Sequence, residues 1–209
     1  MEQHTRFGYL DGDDVWCQVT GPCASVEPRP ALFLDRDGVI VDEVLYLHRV
    51  EDLALLPGAA ETIRAANHLG VPVVMVTNQA GIARGYYGWK EFDDVQNALF
   101  SSLGRLDARI DGVFACPHYP VHPARKPQPG MLIRAAEAMH IDLGRSWIVG
   151  DKASDLQAGR AAGLSGGVLV MTGHGPAHQE PAMALRTSSF EVRIGRSISG
   201  APALIPLFQ

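Results

Sequence analysis

The stretch ALFLDRDGV, residues 31–39, decides the fold. Four apolar residues break off into two carboxylates, Asp35 and Asp37, with one residue between them. Alternate residues of a strand share a side, and a turn just past the strand's end can bring both acids into one small site. Parallel sheets bind ligands at that place, outside the carboxyl ends of their strands. Two acids gathered there call for a shared cation, and a divalent metal with a phosphoryl group supplies that reason.

Outward from this segment, apolar strand candidates at 31–34, 71–76, 112–115, 146–149 and 167–171 alternate with helical stretches. That alternation predicts βα units, a parallel sheet and an α/β fold. After Pro57-Gly58, residues Ala59, Ile63, Ala66 and Leu69 share one helix face, with Gly70 at the C-terminal cap. Phe92, Val95 and Leu99 mark a second helix within 89–103, and Leu132, Ala135 and Met139 a third from near Gly130. Leu156, Gly159 and Gly163 mark a fourth. Beyond residue 172 the pattern fades to a short VRI segment that reads as an edge strand. Residues 1–30, rich in Gly, Pro, Asp and Gln, read as an N-terminal extension with a short strand from Val15 to Val19. Residues 31–209 read as one domain.

The bulk properties exclude several classes. A net charge of −5 argues against a nucleic-acid binder, whose footprint would be basic. The apolar run VPVVMV is too short to span a bilayer, and the first residues show no basic flank followed by an apolar run, so no signal peptide is expected. Three cysteines, Cys17, Cys23 and Cys116, do not suggest a disulfide framework. We expect a cytoplasmic monomer with a small-molecule partner and neither nucleic acid nor membrane.

Polar residues recur just after the strand candidates: Asp35, Arg36 and Asp37; Thr77, Asn78 and Gln79; Cys116 and His118; Asp151 and Lys152. With a phosphate ester as substrate, each has a task. Asp35 is the nucleophile candidate, able to form an aspartyl-phosphate. Mg²⁺ would neutralise the repulsion between that carboxylate and the phosphate, held by the hard oxygens of Asp35, Asp151 and the carbonyl of Asp37. Asp37 would protonate the leaving alkoxide and then take a proton from water. Thr77 and Lys126 would bind the phosphoryl oxygens, and Asp155 would sit behind the metal or orient Lys152. Each signal alone is weak: most Asp-x-Asp pairs are loop or cap residues, and single surface lysines are ordinary. Their common order and strand-end placement make the case.

Together these residues resemble the haloacid dehalogenase superfamily of aspartate-nucleophile phosphatases. FLDRDGV carries Asp35 and Asp37, VTNQAGIARG carries Thr77 and Asn78, RKPQPGM carries Lys126, and VGDKASD carries Asp151. The wording is similar to the branch that hydrolyses D-glycero-D-manno-heptose 1,7-bisphosphate, with the histidinol-phosphate branch as its near relative. The resemblance implies a three-layer, Rossmann-like, essentially capless domain working in lipopolysaccharide-precursor synthesis. It also implies Arg125 and Lys152 as contacts to the sugar or its second phosphate, with Arg36, Tyr46, Asn78 and Gln79 as further substrate contacts.

The chain departs from that pattern in two places. Relatives hold structural zinc with a CxH pair and, one loop later, a CxC pair before RKP. Here Cys116 and His118 remain, but the second pair reads His122-Pro123-Ala124. Three candidate ligands, Cys116, His118 and His122, fall short of the usual four, so our expectation is against zinc, with prolines stiffening the loop instead. After the nucleophile the chain has Glu43, Val44, Leu45 and Tyr46 in place of a small polar patch. Histidinol phosphate, or another small monoester, is the alternative substrate. The non-enzymatic alternative is a receiver-like phosphoacceptor, which Asp37 argues against because it would speed hydrolysis. The remaining histidines, His174 among them, read as surface or capping residues.

Overall fold

In the computed structural model, the described residues are 8–21 and 27–209. His4, Cys23 and the other positions of the 1–30 extension outside those ranges lie outside the described residues. The strands are β1 (Tyr9–Leu10), β2 (Trp16–Val19), β3 (Leu32–Leu34), β4 (Val73–Asn78), β5 (Gly112–Cys116), β6 (Trp147–Gly150), β7 (Gly166–Val170) and β8 (Glu191–Gly195). The helices are α1 (Ala59–His68), α2 (Ala80–Ala83), α3 (Trp89–Gly104), α4 (Gly130–Met139), α5 (Ala153–Ala161), α6 (Gly175–Met183) and α7 (Ala201–Leu204).

The strands form one sheet in the order β1-β2-β5-β4-β3-β6-β7-β8. β3 through β8 pair in parallel, while β1 and β2 add an antiparallel edge. Both faces of the parallel part are covered, which is why its strands read as continuous apolar runs rather than alternating ones. Leu32 and Leu34 pack with α1 and α3 on one side, and Phe33 with α4 and α5 on the other. The result is three layers with no inserted domain between the motifs. Among the described residues, no helix is long and apolar enough to cross a membrane.

Helix ends follow their local chemistry. α1 closes with Gly70 at φ +70°, and the N–H of Val71 returns to the Ala66 carbonyl while that of Gly70 returns to Asn67. This is the six-to-one closure that a left-handed glycine permits. α6 was not expected, because its buried residues are only Gly175 and Ala182, too few for an apolar stripe. β4 also runs two residues further than its apolar core, so Thr77 and Asn78 still pair with Ala115 and Cys116 instead of following the strand.

The N-terminal hairpin is built into this packing. β2 pairs with β5 from Trp16 opposite Ala115 to Val19 opposite Gly112. Trp16 is buried, stacks on Trp89 at 5.5 Å and meets Phe92 edge-on, while Cys17 packs in the core on the opposite face of the sheet. Trp16→Ala is therefore expected to destabilise the protein by about 3–5 kcal/mol. Urea unfolding checks this, and a loss under about 0.5 kcal/mol would mark the hairpin as a surface appendage.

Candidate active site

β3 lies between β4 and β6, so the chain passes to one side of it through β4 and β5 and to the other through β6, β7 and β8. Such a reversal opens a crevice at the carboxyl ends of the central strands. The register aims specific residues into it. Leu34 is level with Met75 and with Val149, and the Asp35 N–H donates to the Val149 carbonyl at 3.0 Å. Asp35, Thr77 and Asp151 thus emerge within about one residue of the same level.

A buried cluster of charge fills the crevice floor. The Lys126 Nζ lies 2.9 Å from Asp35 Oδ1 and 2.7 Å from Asp155 Oδ1, and donates to the Val76 carbonyl at 2.8 Å. Asp155 Oδ2 accepts the Lys152 N–H at 2.9 Å, closing the first turn of α5 from its third position. Asp35 Oδ1 also accepts the Arg36 N–H at 2.7 Å. Burial pushes the Asp155 carboxyl above the usual carboxylate range against the pull of Lys126. Burial opposes the Lys126 charge too, but Asp155 and Asp35 outweigh it and raise its pKa.

Asp151 completes the cluster and is fully buried. Its Oδ2 accepts the His174 N–H at 2.8 Å and lies 3.2 Å from His174 Nδ1. His174 therefore belongs to the rim of the site, not to an unrelated surface as its place in the sequence suggested. Two glycines permit the crowding. A Cβ on Gly150 would stand 2.3 Å from that of Asp155, and one on Gly38 (φ +78°) 2.6 Å from Asp151 Oδ2.

Carboxylate oxygens of Asp35, Asp151 and Asp155 lie within 4.8 Å of one another. Among the described residues Asp151 Oδ1 is buried with no hydrogen-bond partner, and the Lys152 ammonium is 3.8 Å away. Such an orphaned anionic oxygen is costly unless a cation meets it. An all-oxygen donor set of this kind fits Mg²⁺, with Asp35 and Asp151 as its side-chain holders. Asp155, already committed to Lys126 and Lys152, stands behind them.

The other expected residues divide by position. Arg36 is buried, with its Nε 3.2 Å from both Asp37 oxygens and its Nη2 donating to Asp37, the Leu47 carbonyl and Gln79 Oε1. Gln79 Nε2 donates to Thr77 Oγ1 at 2.8 Å, leaving the threonine's own hydrogen to give elsewhere, while Tyr87 donates to Gln79 Oε1 at 2.5 Å. Asn78 spends both ends of its amide on the Lys126 backbone, at 3.0 and 3.1 Å. Arg36, Asn78 and Gln79 thus hold Asp37, Lys126 and Thr77 in place. They also line, with Tyr46, Arg125 and Lys152, a cavity of about 590 Å³ above the cluster. Lys152 donates to Glu43 at 3.2 Å.

Sequence reasoning missed Glu43, Arg84, Tyr87 and Tyr119, which line the same cavity. The Arg84 guanidinium lies 4.1 Å over the Tyr119 ring, and Tyr46 meets Tyr86 edge-on at 4.8 Å. Only Arg84 carried a signal, being the arginine of the quoted GIARG motif.

Cys116, His118 and His122 do not converge as a metal site, and are absent from the two three-residue groups with metal-holding geometry among the described residues. His118 Nε2 donates to the Asp13 carbonyl at 2.7 Å, and His122 Nδ1 accepts the Ala124 N–H at 3.1 Å. These residues do not fit zinc.

Comparison with known proteins places this geometry among phosphatases. A HAD-hydrolase-like family model matches residues 123–189. The chain is 42% identical over 181 residues to the D-glycero-β-D-manno-heptose-1,7-bisphosphate 7-phosphatase of Mesorhizobium japonicum, covering 82% of each chain. It is also 42% identical over 151 residues to the corresponding α-anomer phosphatase of Photorhabdus laumondii, covering 68% of this chain and 82% of that one. Among solved structures, a HAD-like phosphatase from Mesorhizobium loti superposes with a TM-score of 0.82 at 38% identity, over 93% of this chain and 92% of that one. The D,D-heptose 1,7-bisphosphate phosphatase of B. bronchiseptica, complexed with magnesium and phosphate, gives 0.75 at 29% identity, over 82% and 95%.

The metal assignment makes a direct prediction. Mg²⁺ at a hundredfold above its dissociation constant is expected to stabilise the wild type by about 2.7 kcal/mol. Thermal unfolding reads this, and Asp151→Asn is expected to abolish the shift. A shift that survives in that variant would move the metal elsewhere.

Proposed function

The chain belongs to the HAD-like hydrolases and is a phosphoric monoester hydrolase, and from that premise we propose that it removes the 7-phosphate of D-glycero-D-manno-heptose 1,7-bisphosphate through an aspartyl-phosphate. The observation that carries the substrate is the charge of the cavity. Beyond Lys126 and Lys152, it is lined by Arg84 and Arg125, and neither guanidinium forms an ion pair among the described residues. Two uncompensated cations beside tyrosines suit a second phosphate and the sugar between the two. The heptose-bisphosphate phosphatases above, at about 42% identity, support this reading.

In this reading Asp35 attacks phosphorus and the sugar's oxygen leaves. Asp37, aimed by the Arg36 guanidinium, protonates that oxygen. It then takes a proton from the water that attacks the phosphoryl-Asp35 and regenerates the carboxylate. Thr77 offers its hydroxyl hydrogen to a phosphoryl oxygen, and Lys126 balances charge beside Asp35. Mg²⁺, when bound to Asp35 and Asp151, supplies charge neutralisation that lets a carboxylate approach a phosphate dianion. Arg84 and Arg125 hold the distal phosphate. Synthesis of a lipopolysaccharide precursor in the cytoplasm is the setting that this substrate implies.

The test is a steady-state panel with both anomers of the heptose bisphosphate, histidinol phosphate and p-nitrophenyl phosphate. The bisphosphate is expected to exceed the others in kcat/KM by about 100-fold or more, since the others lack a distal phosphate to pair with the guanidiniums. Equal turnover of simple monoesters would reject the heptose assignment. Asp35→Asn is expected to lose about 10⁴-fold or more in kcat on every substrate.

A further inference from the structure

The loop between β5 and α4 carries Tyr119, Arg125 and Lys126 into the cavity, and the N-terminal hairpin meets it through a hydrogen bond between His118 and Asp13. β2 is fixed against β5 by the sheet register, with Trp16 opposite Ala115. That register brings the turn at 11–14 beside the loop that leaves Cys116. The turn is itself well made: Asp11 Oδ1 accepts the N–H groups of Asp13 and Val15 at 2.9 and 3.0 Å, and Asp14 adopts φ +57°. Arg134, on α4, ties the turn down with Nε 2.7 Å from Asp11 Oδ2 and Nη2 on Asp13. Burial works against the Asp11 carboxylate, but Arg134 and the two backbone N–H groups outweigh it and lower its pKa.

From this platform one chain of hydrogen bonds leads to the cavity. The Asp13 carbonyl accepts from His118 Nε2 at 2.7 Å. The His118 carbonyl accepts from Arg125 Nη1 at 3.1 Å, and that guanidinium stands 5.4 Å over the Tyr119 ring. The His118 ring is held on its face by His122, at 3.9 Å between centroids. Cys116 and His118, the two residues that survive from a metal-binding pattern, are thus tied into the sheet and the hairpin.

We propose that the Asp11–Asp14 turn, acting with Arg134 through His118, is the positioning element for Arg125. Arg134 and His118 are positioning residues that touch no substrate. The inference rests on the reading of Arg125 as a contact to the distal phosphate. Its effect is confined to substrates that carry one.

The test uses the full chain and two separate links, Arg134→Gln and His118→Ala, each compared on the heptose bisphosphate and on p-nitrophenyl phosphate. Each variant is expected to raise KM for the bisphosphate about tenfold with kcat within about twofold, and to leave p-nitrophenyl phosphate kinetics unchanged. In an Arg125→Ala background, neither is expected to add a further effect. Equal losses on both substrates would show a purely structural role and overturn the proposal, as would full additivity with Arg125→Ala. If one variant fails to fold, as thermal unfolding would show, the other link decides. The reading beneath it fails differently: Arg125→Ala alone would then leave the bisphosphate KM untouched.

Discussion

The Lys126 ammonium, sealed between Asp35, Asp155 and the Val76 carbonyl, is the interaction on which the rest of the site depends. It makes two ion pairs and one hydrogen bond, and each partner comes from a different element: the end of β3, the first turn of α5 and the strand β4. A buried charge is tolerated only when it is paired and hydrogen-bonded. The lysine therefore stabilises the convergence of three elements while supplying the cation that two buried acids need. The same geometry leaves Asp151 Oδ1 without a hydrogen-bond partner among the described residues, an anionic oxygen suited to a further cation.

The sheet order explains why these groups meet. Asp35 and Asp151 follow β3 and β6, the adjacent strands between which the winding reverses direction. Among the described strands, no other pair of parallel neighbours opens a crevice in this way. Gly38 and Gly150 then allow the carboxylates to approach more closely than any side chain would permit. Fold and chemistry are in this sense one constraint. Arg36, Gln79 and Asn78 line the cavity beside these groups and give hydrogen bonds to Asp37, Thr77 and the Lys126 backbone.

Much of this was legible in the sequence because strand ends announce themselves. An apolar run that stops at a carboxylate, a threonine or a Gly-Asp pair marks both the strand and the functional residue, as for Asp35, Thr77 and Asp151. What remained hidden depends on distance in the fold. His174 reaches Asp151 across 23 residues, and Glu43 reaches Lys152 across 109. The helix α6 shows no apolar stripe, so periodicity could not find it. Arg36, Asn78 and Gln79 line the cavity, and their hydrogen bonds to Asp37, the Lys126 backbone and Thr77, which no sequence pattern shows, give them a positioning role as well. The pairing of the 11–14 turn with Arg134 spans more than 120 residues and follows from register alone.

The central claim is that Asp35 forms a covalent bond to phosphorus. Its most direct test is rapid acid quench during turnover of a phosphoryl-labelled substrate, followed by mapping of the labelled peptide. Label on the peptide containing Asp35, accumulating in Asp37→Asn and absent from Asp35→Asn, is the predicted result. Turnover with no protein-bound phosphate at any quench time, or label on a different residue, would contradict the account.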